Sequence, residues 1–143
     1  MSSNTQKANM AATLSEVLDA MRVATSHLEL PVQHILSFLD VAARQGSPCR
    51  VKDLELCTGL SRASASRVVA TLGRGMPGRK GFNLVETSED PNNRTVKLVT
   101  LTAKGHEVMD TVSEILRRAS LDWLIPEPLR PYLNLDGVQV EQQ

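Results

Sequence analysis

The stretch 51–72 constrains this chain more than any other. Leu54 and Cys57 stand three residues apart in 51–58, the inward pair of a two-turn helix. Gly59 follows, and a tight helix-to-helix turn commonly needs a residue that tolerates positive φ. Ser61 is an N-cap for the next helix, 61–72, in which Ala65, Val68, Val69 and Leu72 share one face. The rest of that helix begins Ser61-Arg62-Ala63-Ser64-Ala65-Ser66-Arg67 and holds no acidic residue, whereas exposed helices ordinarily mix both signs. Small side chains let a helix backbone come close to another surface. Serine and arginine supply donors for phosphates and base edges. A short helix, a glycine turn and an exposed helix rich in donors is the plan of a helix-turn-helix.

The flanks extend this plan. Residues 1–12 are polar and read as a disordered arm. An amphipathic helix is expected over 13–28, with Leu14, Val17, Leu18, Met21, Ala24 and Leu28 as its stripe and Thr13 with Glu16 as a capping box. Pro31 opens a second helix running to about residue 44, striped by Val32, Ile35, Leu36, Leu39 and Ala42 or Ala43, and Gly46, Ser47 and Pro48 stop it. Residues 74–81 are rich in Gly, Arg and Lys and read as a mobile basic loop. Residues 82–87 and 95–101 are strand-like, and Ser88-Glu89-Asp90-Pro91-Asn92-Asn93-Arg94 between them is a turn, so together they form a β-hairpin. Thr102 caps a last helix to about residue 119, striped by Val108, Val112, Ile115 and Leu116. The expected fold is mainly α with a small β-hairpin wing: a winged helix-turn-helix over 13–120 with dimerisation helices at both ends, and a proline-broken tail over 121–143.

Composition narrows the function. Aromatic residues are 3% of the 143, so the core must be aliphatic, which suits packed helices. The formal net charge is zero, but its distribution is uneven. From Arg44 to Lys104 eleven basic residues face five acidic ones, between ends in which acids prevail. No apolar run is long enough for a membrane span, and the N-terminus lacks the apolar core of a signal peptide. Two cysteines make no disulfide framework, which places the chain in the reducing cytoplasm. Cys49 precedes Arg50, a neighbour that lowers a thiol pKa, and Cys57 is expected inward; both are taken as structural or incidental. His27, His34 and His106 are scattered, with no ligand spacing for a metal. Neither a nucleophile elbow nor a phosphate-binding glycine loop is present, and no cofactor is called for. The chain therefore reads as a binding protein and not an enzyme.

Four segments in this order, Leu30-Pro31-Val32-Gln33-His34-Ile35-Leu36, Leu60-Ser61-Arg62-Ala63-Ser64-Ala65-Ser66-Arg67-Val68-Val69, Asp90-Pro91-Asn92-Asn93-Arg94 and Leu101-Thr102-Ala103-Lys104-Gly105, resemble the MarR family of winged-helix regulators. The wing turn followed by Leu-Thr-x-x-Gly is the most specific part. The resemblance implies a homodimeric transcriptional regulator, a repressor by expectation, bound to a palindromic operator in double-stranded DNA. Its recognition helices would enter successive major grooves, and the wing arginine, Arg94, would reach the minor groove. It also allows a small-molecule effector of unknown identity.

The sequence departs from the family pattern at three places: 74–80 looks inserted, Asn93 stands where an Asp commonly precedes the wing arginine, and the C-terminal region is short and broken by prolines. The candidate DNA-binding residues are Ser61, Arg62, Ser64, Ser66, Arg67, Arg74, Arg79, Lys80, Arg94 and Lys97, with Asp90 as the carboxylate that orients Arg94. The candidate dimer interface is Leu14, Val17, Leu18, Met21, Val108, Val112, Ile115 and Leu116. The competing reading is a winged helix that modulates a replication or transcription complex without reading DNA, using Trp123, Leu124, Ile125 and Tyr132 as an apolar contact strip.

Overall fold

A computed structural model describes residues 3–44 and 47–124, with side chains to 119. Five helices and five strands follow one another: α1 (Asn4–Thr25), α2 (Val32–Ala43), β1 (Cys49–Arg50), α3 (Val51–Thr58), α4 (Arg62–Leu72), β2 (Gly75–Met76), β3 (Arg79–Lys80), β4 (Val85–Asp90), β5 (Asn93–Leu101) and α5 (Ala103–Leu124). The chain divides into two compact units, Met21–Met109 and the pair Met1–Ala20 with Asp110–Gln143.

Within Met21–Met109, helices α2, α3 and α4 close on an aliphatic core of Ile35, Phe38, Val41, Leu54, Ala65, Val68, Val69 and Leu72. Gly59 ends α3 with φ +74, and its N–H donates to Glu55 O at 2.9 Å. Ser61 caps α4, its Oγ accepting from Ser64 N at 3.2 Å. The helix-turn-helix thus forms over the residues whose spacing specified it, but its inward faces are not all as expected. Leu54 is buried, whereas Cys57 is exposed. A helix of two turns has one residue pointing squarely inward, and here that place goes to Leu54. On α2 the expected Val32 and Leu36 are exposed while Ser37, Phe38 and Val41 are buried, a rotation of the stripe set by the one large aromatic, Phe38.

The sheet has the order β1-β5-β4, all antiparallel. β1 was not expected from the sequence. Its two residues pair with β5 (Cys49 with Val99, Arg50 with Leu98), which carries Cys49 into the core at 1% exposure. The β4–β5 hairpin is the wing. Its strands reach further toward the turn than 82–87 and 95–101, because Asp90 pairs directly with Asn93. The register then shifts, so Arg94, Thr95 and Val96 form a bulge before Lys97 meets Glu89.

The start of α5 explains the Leu-Thr-x-x-Gly motif. Thr102 Oγ1 donates to Asn83 O at 2.6 Å and accepts from Gly105 N at 3.1 Å, and Thr102 N donates to Leu84 O at 3.0 Å. A Cβ at position 105 would overlap the Leu84 carbonyl, so only glycine lets the first turn of α5 close on the strand entering the wing.

Residues 74–81 are not a loop. β2 and β3 pair (Gly75 with Lys80, Met76 with Arg79) into a second, two-rung hairpin after α4. The Pro77-Gly78 pair fills its turn, with Gly78 at φ +79. Pro before a glycine of positive φ is the pattern a type II turn uses.

In the other unit, α1 begins at Asn4, so residues 4–12 are helical where a disordered arm was expected. The capping box sits ten residues before the expected one: Ser3 Oγ accepts from Gln6 N at 3.1 Å, and Gln6 Oε1 accepts from Ser3 N at 3.0 Å. Thr13, expected as the cap, lies inside the helix and its hydroxyl donates to Asn9 O at 2.9 Å. Thr13, Val17, Val112 and Ile115 are buried. α5 continues to Leu124, past the expected end near 119. Of the expected contact strip, the side chains of Trp123 and Leu124 and all of Ile125 and Tyr132 lie outside the described residues, as does the tail from 125 onward.

Candidate nucleic-acid interface

Helix α4 buries Ala65, Val68, Val69 and Leu72 and exposes Arg62, Ala63, Ser66 and Arg67. The periodicity of a helix sends these exposed side chains down two different flanks. Arg62 and Ser66, four apart, line a groove of about 430 Å³ together with Arg50, Val51, Lys52, Glu55 and Thr95, Val96 and Lys97 of the wing. Ser64, Arg67, Val68 and Thr71 line a cleft of about 360 Å³ on the other flank, with Gln33 and His34 of α2, Arg79 of β3, Phe82, and His27 and Glu29 before α2.

The wing-side groove holds four cations against one carboxylate, Glu55. Two of the cations have local partners. Lys97 Nζ lies 3.5 Å from Glu89 Oε1 across the wing, both more than half exposed, a pairing of little energetic weight. Arg50 is held more firmly. Asp53 accepts from Arg50 N at 2.9 Å, from Nε at 3.3 Å and from Nη2 at 3.1 Å. Those bonds, with Arg44 nearby, keep the Asp53 carboxyl below the usual carboxylate range, the Arg50 side-chain bond being the largest cause. The carboxylate therefore fixes the start of α3 and the guanidinium at the root of the wing together.

The wing tip is shaped by two side-chain caps. Asp90 Oδ1 accepts from Asn92 N at 2.9 Å, and Asn93 Oδ1 accepts from Thr95 N at 3.2 Å and from Thr95 Oγ1 at 2.7 Å. Asp90 thus holds the turn and does not orient Arg94: among the described residues no ion pair joins them. The short acceptor reaches the backbone two residues ahead more readily than a guanidinium four ahead. Arg94 stands exposed at the tip.

Of the ten expected contact residues, Arg62, Ser66 and Lys97 share the wing-side groove, and Ser64, Arg67 and Arg79 share the opposite cleft. Ser61 is occupied as a cap, its hydroxyl oxygen 3.0 Å from Ser64 Oγ. Arg74 lines a third hollow with Gly73, Asn83 and Glu86, apart from both flanks. Lys80 and Arg94 are exposed and line none of these hollows. Arg50, Lys52 and Thr95 were missed. The two basic residues belong to the central charge surplus, but only the pairing of β1 with β5 reveals that they stand beside the wing.

The two cysteines differ in burial. Burial pushes the Cys49 thiol up to about 11, overriding the Arg44 charge and reversing the effect expected from Arg50. Cys57 is exposed, with Arg44 Nη2 3.5 Å from its Sγ. His34 sits in the cleft beside Arg67 with its Nδ1 buried and unpartnered, and its pKa is lowered by burial and then by His27. The described residues contain no group of three or more His, Cys, Asp or Glu placed to hold a metal ion, and no helix among them is long and apolar enough to cross a membrane.

The expected dimer residues separate by exposure. Val17, Met21, Val108, Val112 and Ile115 are buried within the single chain, which removes them from a surface role. Leu14, Leu18 and Leu116 are exposed at 60, 44 and 43%, and Met10 joins them at 40%.

No protein-family model matches the chain, and no curated protein does. Solved structures do match. MepR of S. aureus, in a complex with DNA, aligns over 85% of this chain and 90% of its own at 12% identity and a TM-score of 0.62. YusO of Bacillus subtilis aligns over 88% and 82% at 12% identity and 0.59. Sco3205, described as a MarR family transcriptional regulator from Streptomyces coelicolor and solved with DNA, aligns over 88% and 78% at 17% identity and 0.51. The fold is a MarR-like winged helix.

Proposed function

We propose that this protein is a transcriptional regulator that binds double-stranded DNA in sequence-specific fashion, with α4 in the major groove and the β4–β5 wing over the adjacent minor groove. The observation that carries this reading is the acid-free outer face of α4 beside a groove containing Arg50, Lys52, Arg62 and Lys97. A helix crest of small residues and donors fits the major groove, and the rim cations meet the phosphates. Arg94, exposed on a tip that two side-chain caps hold in shape, suits the narrow minor groove of A·T-rich flanks, where the potential is most negative. Two neighbours of the same fold, MepR and Sco3205, were solved with DNA, which supports the assignment.

The working unit is a homodimer on a palindromic operator, acting as a cytoplasmic repressor by occupying its site and without catalysis. Met10, Leu14 and Leu18 on α1 and Leu116 on α5 leave an exposed apolar strip that a second copy covers. The two recognition helices then lie about one helical turn, ~34 Å, apart. A small-molecule effector is compatible with this scheme, its identity open. Selection from a random duplex pool tests the reading: a palindrome with half-sites about one turn apart supports it, and failure of the protein to enrich any sequence overturns it. Sedimentation at micromolar concentration tests the dimer, which a monomer would contradict.

A further inference from the structure

The β2–β3 hairpin is costly to explain as slack. A hairpin with two residues per strand does not persist by its own pairing. This one is fastened to the end of α4: Gly81 N donates to Arg74 O at 3.1 Å, Phe82 N to Thr71 O at 2.9 Å, Asn83 N to Gly73 O at 2.9 Å and Leu84 N to Leu72 O at 2.7 Å. Its two strands cross so closely that a Cβ on Gly75 would overlap Arg79 O and Gly81 N, and one on Gly81 would overlap Gly73 O and Gly75 N. The Phe82 ring then rests 5.5 Å from His27. All this fixes the position of a segment whose second strand, Arg79 and Lys80, is exposed and buries no core. Successive residues of a strand point to opposite faces. Arg79 is the one that turns to α4, where it shares the cleft with Arg67, Ser64 and Gln33. Glu29 also lines that cleft, as the single carboxylate against two arginines and the amide and hydroxyl donors.

A helix lying in the major groove has one sugar–phosphate strand along each flank. The wing and the start of α3 occupy one flank of α4, and the hairpin occupies the other. We infer that β2–β3 is a second, shorter wing that places Arg79 against backbone phosphates of the strand across the major groove from the β4–β5 wing. The inference rests on the DNA-binding reading and adds to it a contact on the far strand from an element that is rigid and preorganised, so that little side-chain and loop ordering remains to be lost on binding.

The test compares Arg79→Gln, Lys80→Gln and Arg74→Gln in the full chain, each checked for unchanged thermal unfolding, by duplex titration across a salt series. Each phosphate contact contributes about 0.9 to the slope of log K against log salt. Arg79→Gln is expected to flatten the slope by about 0.9 per protomer and to remove hydroxyl-radical protection on one strand only of each half-site. Lys80→Gln and Arg74→Gln, whose side chains lie off the cleft, are expected to flatten the slope less and to leave the protection lost in Arg79→Gln intact. A wild-type slope and footprint in Arg79→Gln overturns the second wing while the DNA-binding reading stands. Equal flattening by all three variants also overturns it, since a general field and not a placed contact would then be responsible. A wild-type protein that binds no duplex at low salt overturns both.

Discussion

The two hairpins on either side of α4 reach rigidity by different means. The β4–β5 wing is long, six and nine residues, and its base is locked by β1, by Gly105 against Leu84 and by the ladder of β4 on β5. Its tip is held by replaceable polar side chains, Asp90 and Asn93. The β2–β3 hairpin has no such ladder and no tip caps. Backbone bonds to the last turn of α4 and the steric contact of Gly75 with Gly81 hold it. One design tolerates change at its tip and the other does not tolerate a methyl group at its root.

That contrast can be broken by experiment, most severely at Gly81. Gly81→Ala inserts a Cβ between Gly73 O and Gly75 N, backbone atoms with nowhere to go. Forced overpacking of this kind costs roughly 1–3 kcal/mol, to be read from urea unfolding, and the displaced hairpin should reproduce the flattened salt slope of Arg79→Gln although every charge is retained. An unchanged midpoint would show that the hairpin is looser than described.

The next effect is at the root of the wing. Asp53→Asn removes the acceptor that holds Arg50 and is expected to cost about 1 kcal/mol at neutral pH, the low end for charge-assisted bonds because Arg50 is half exposed. Asp53 has its folded pKa depressed below the unfolded value. Its contribution is therefore complete above the ordinary aspartate pKa of about 3.9 and is lost as pH falls through the lower folded value. Melting curves of the variant and wild type should differ at pH 7 and converge in stronger acid. A difference that stays constant across this range would mean that the charge of Asp53 is not what holds Arg50.

The smallest effect on stability belongs to the wing tip. Arg94→Ala should leave thermal unfolding unchanged and lose operator affinity most at A·T-rich flanks. Asp90→Ala removes a turn cap and should lose less, because no ion pair joins it to Arg94. Equal affinity of Arg94→Ala and wild type on every flank would make the wing purely structural.

The sequence disclosed what local chemistry decides. Gly59, Ser61 and Thr102 mark helix ends through bonds within a few residues, and all three do so in the structure. What stayed hidden depends on distant partners. β1 exists because Val99 and Leu98, some fifty residues on, supply its ladder. With it came the placing of Arg50 and Lys52 beside the wing and the burial of Cys49 in place of Cys57. The phase of α2 turned on which apolar residues the neighbouring helices would cover, and Phe38 decided it. The second hairpin did carry a local signal, Pro77-Gly78, which the surrounding glycines and cations disguised as a loop. The Ser3–Gln6 capping box was equally local, in a polar stretch with no stripe to draw attention to it.

In the proposed complex α4 reads DNA with its two arginines on separate flanks, Arg62 beside the wing and Arg67 beside the second hairpin. Titration of a selected operator with Arg62→Ala and Arg67→Ala tests it most directly. At least one variant should lose about 1–3 kcal/mol of binding and relax a single operator position if its arginine meets a base, or weaken all sequences alike with a flatter salt slope if it meets a phosphate. Wild-type affinity and salt slope in both variants would contradict the account, because α4 would then not be the element that enters the groove.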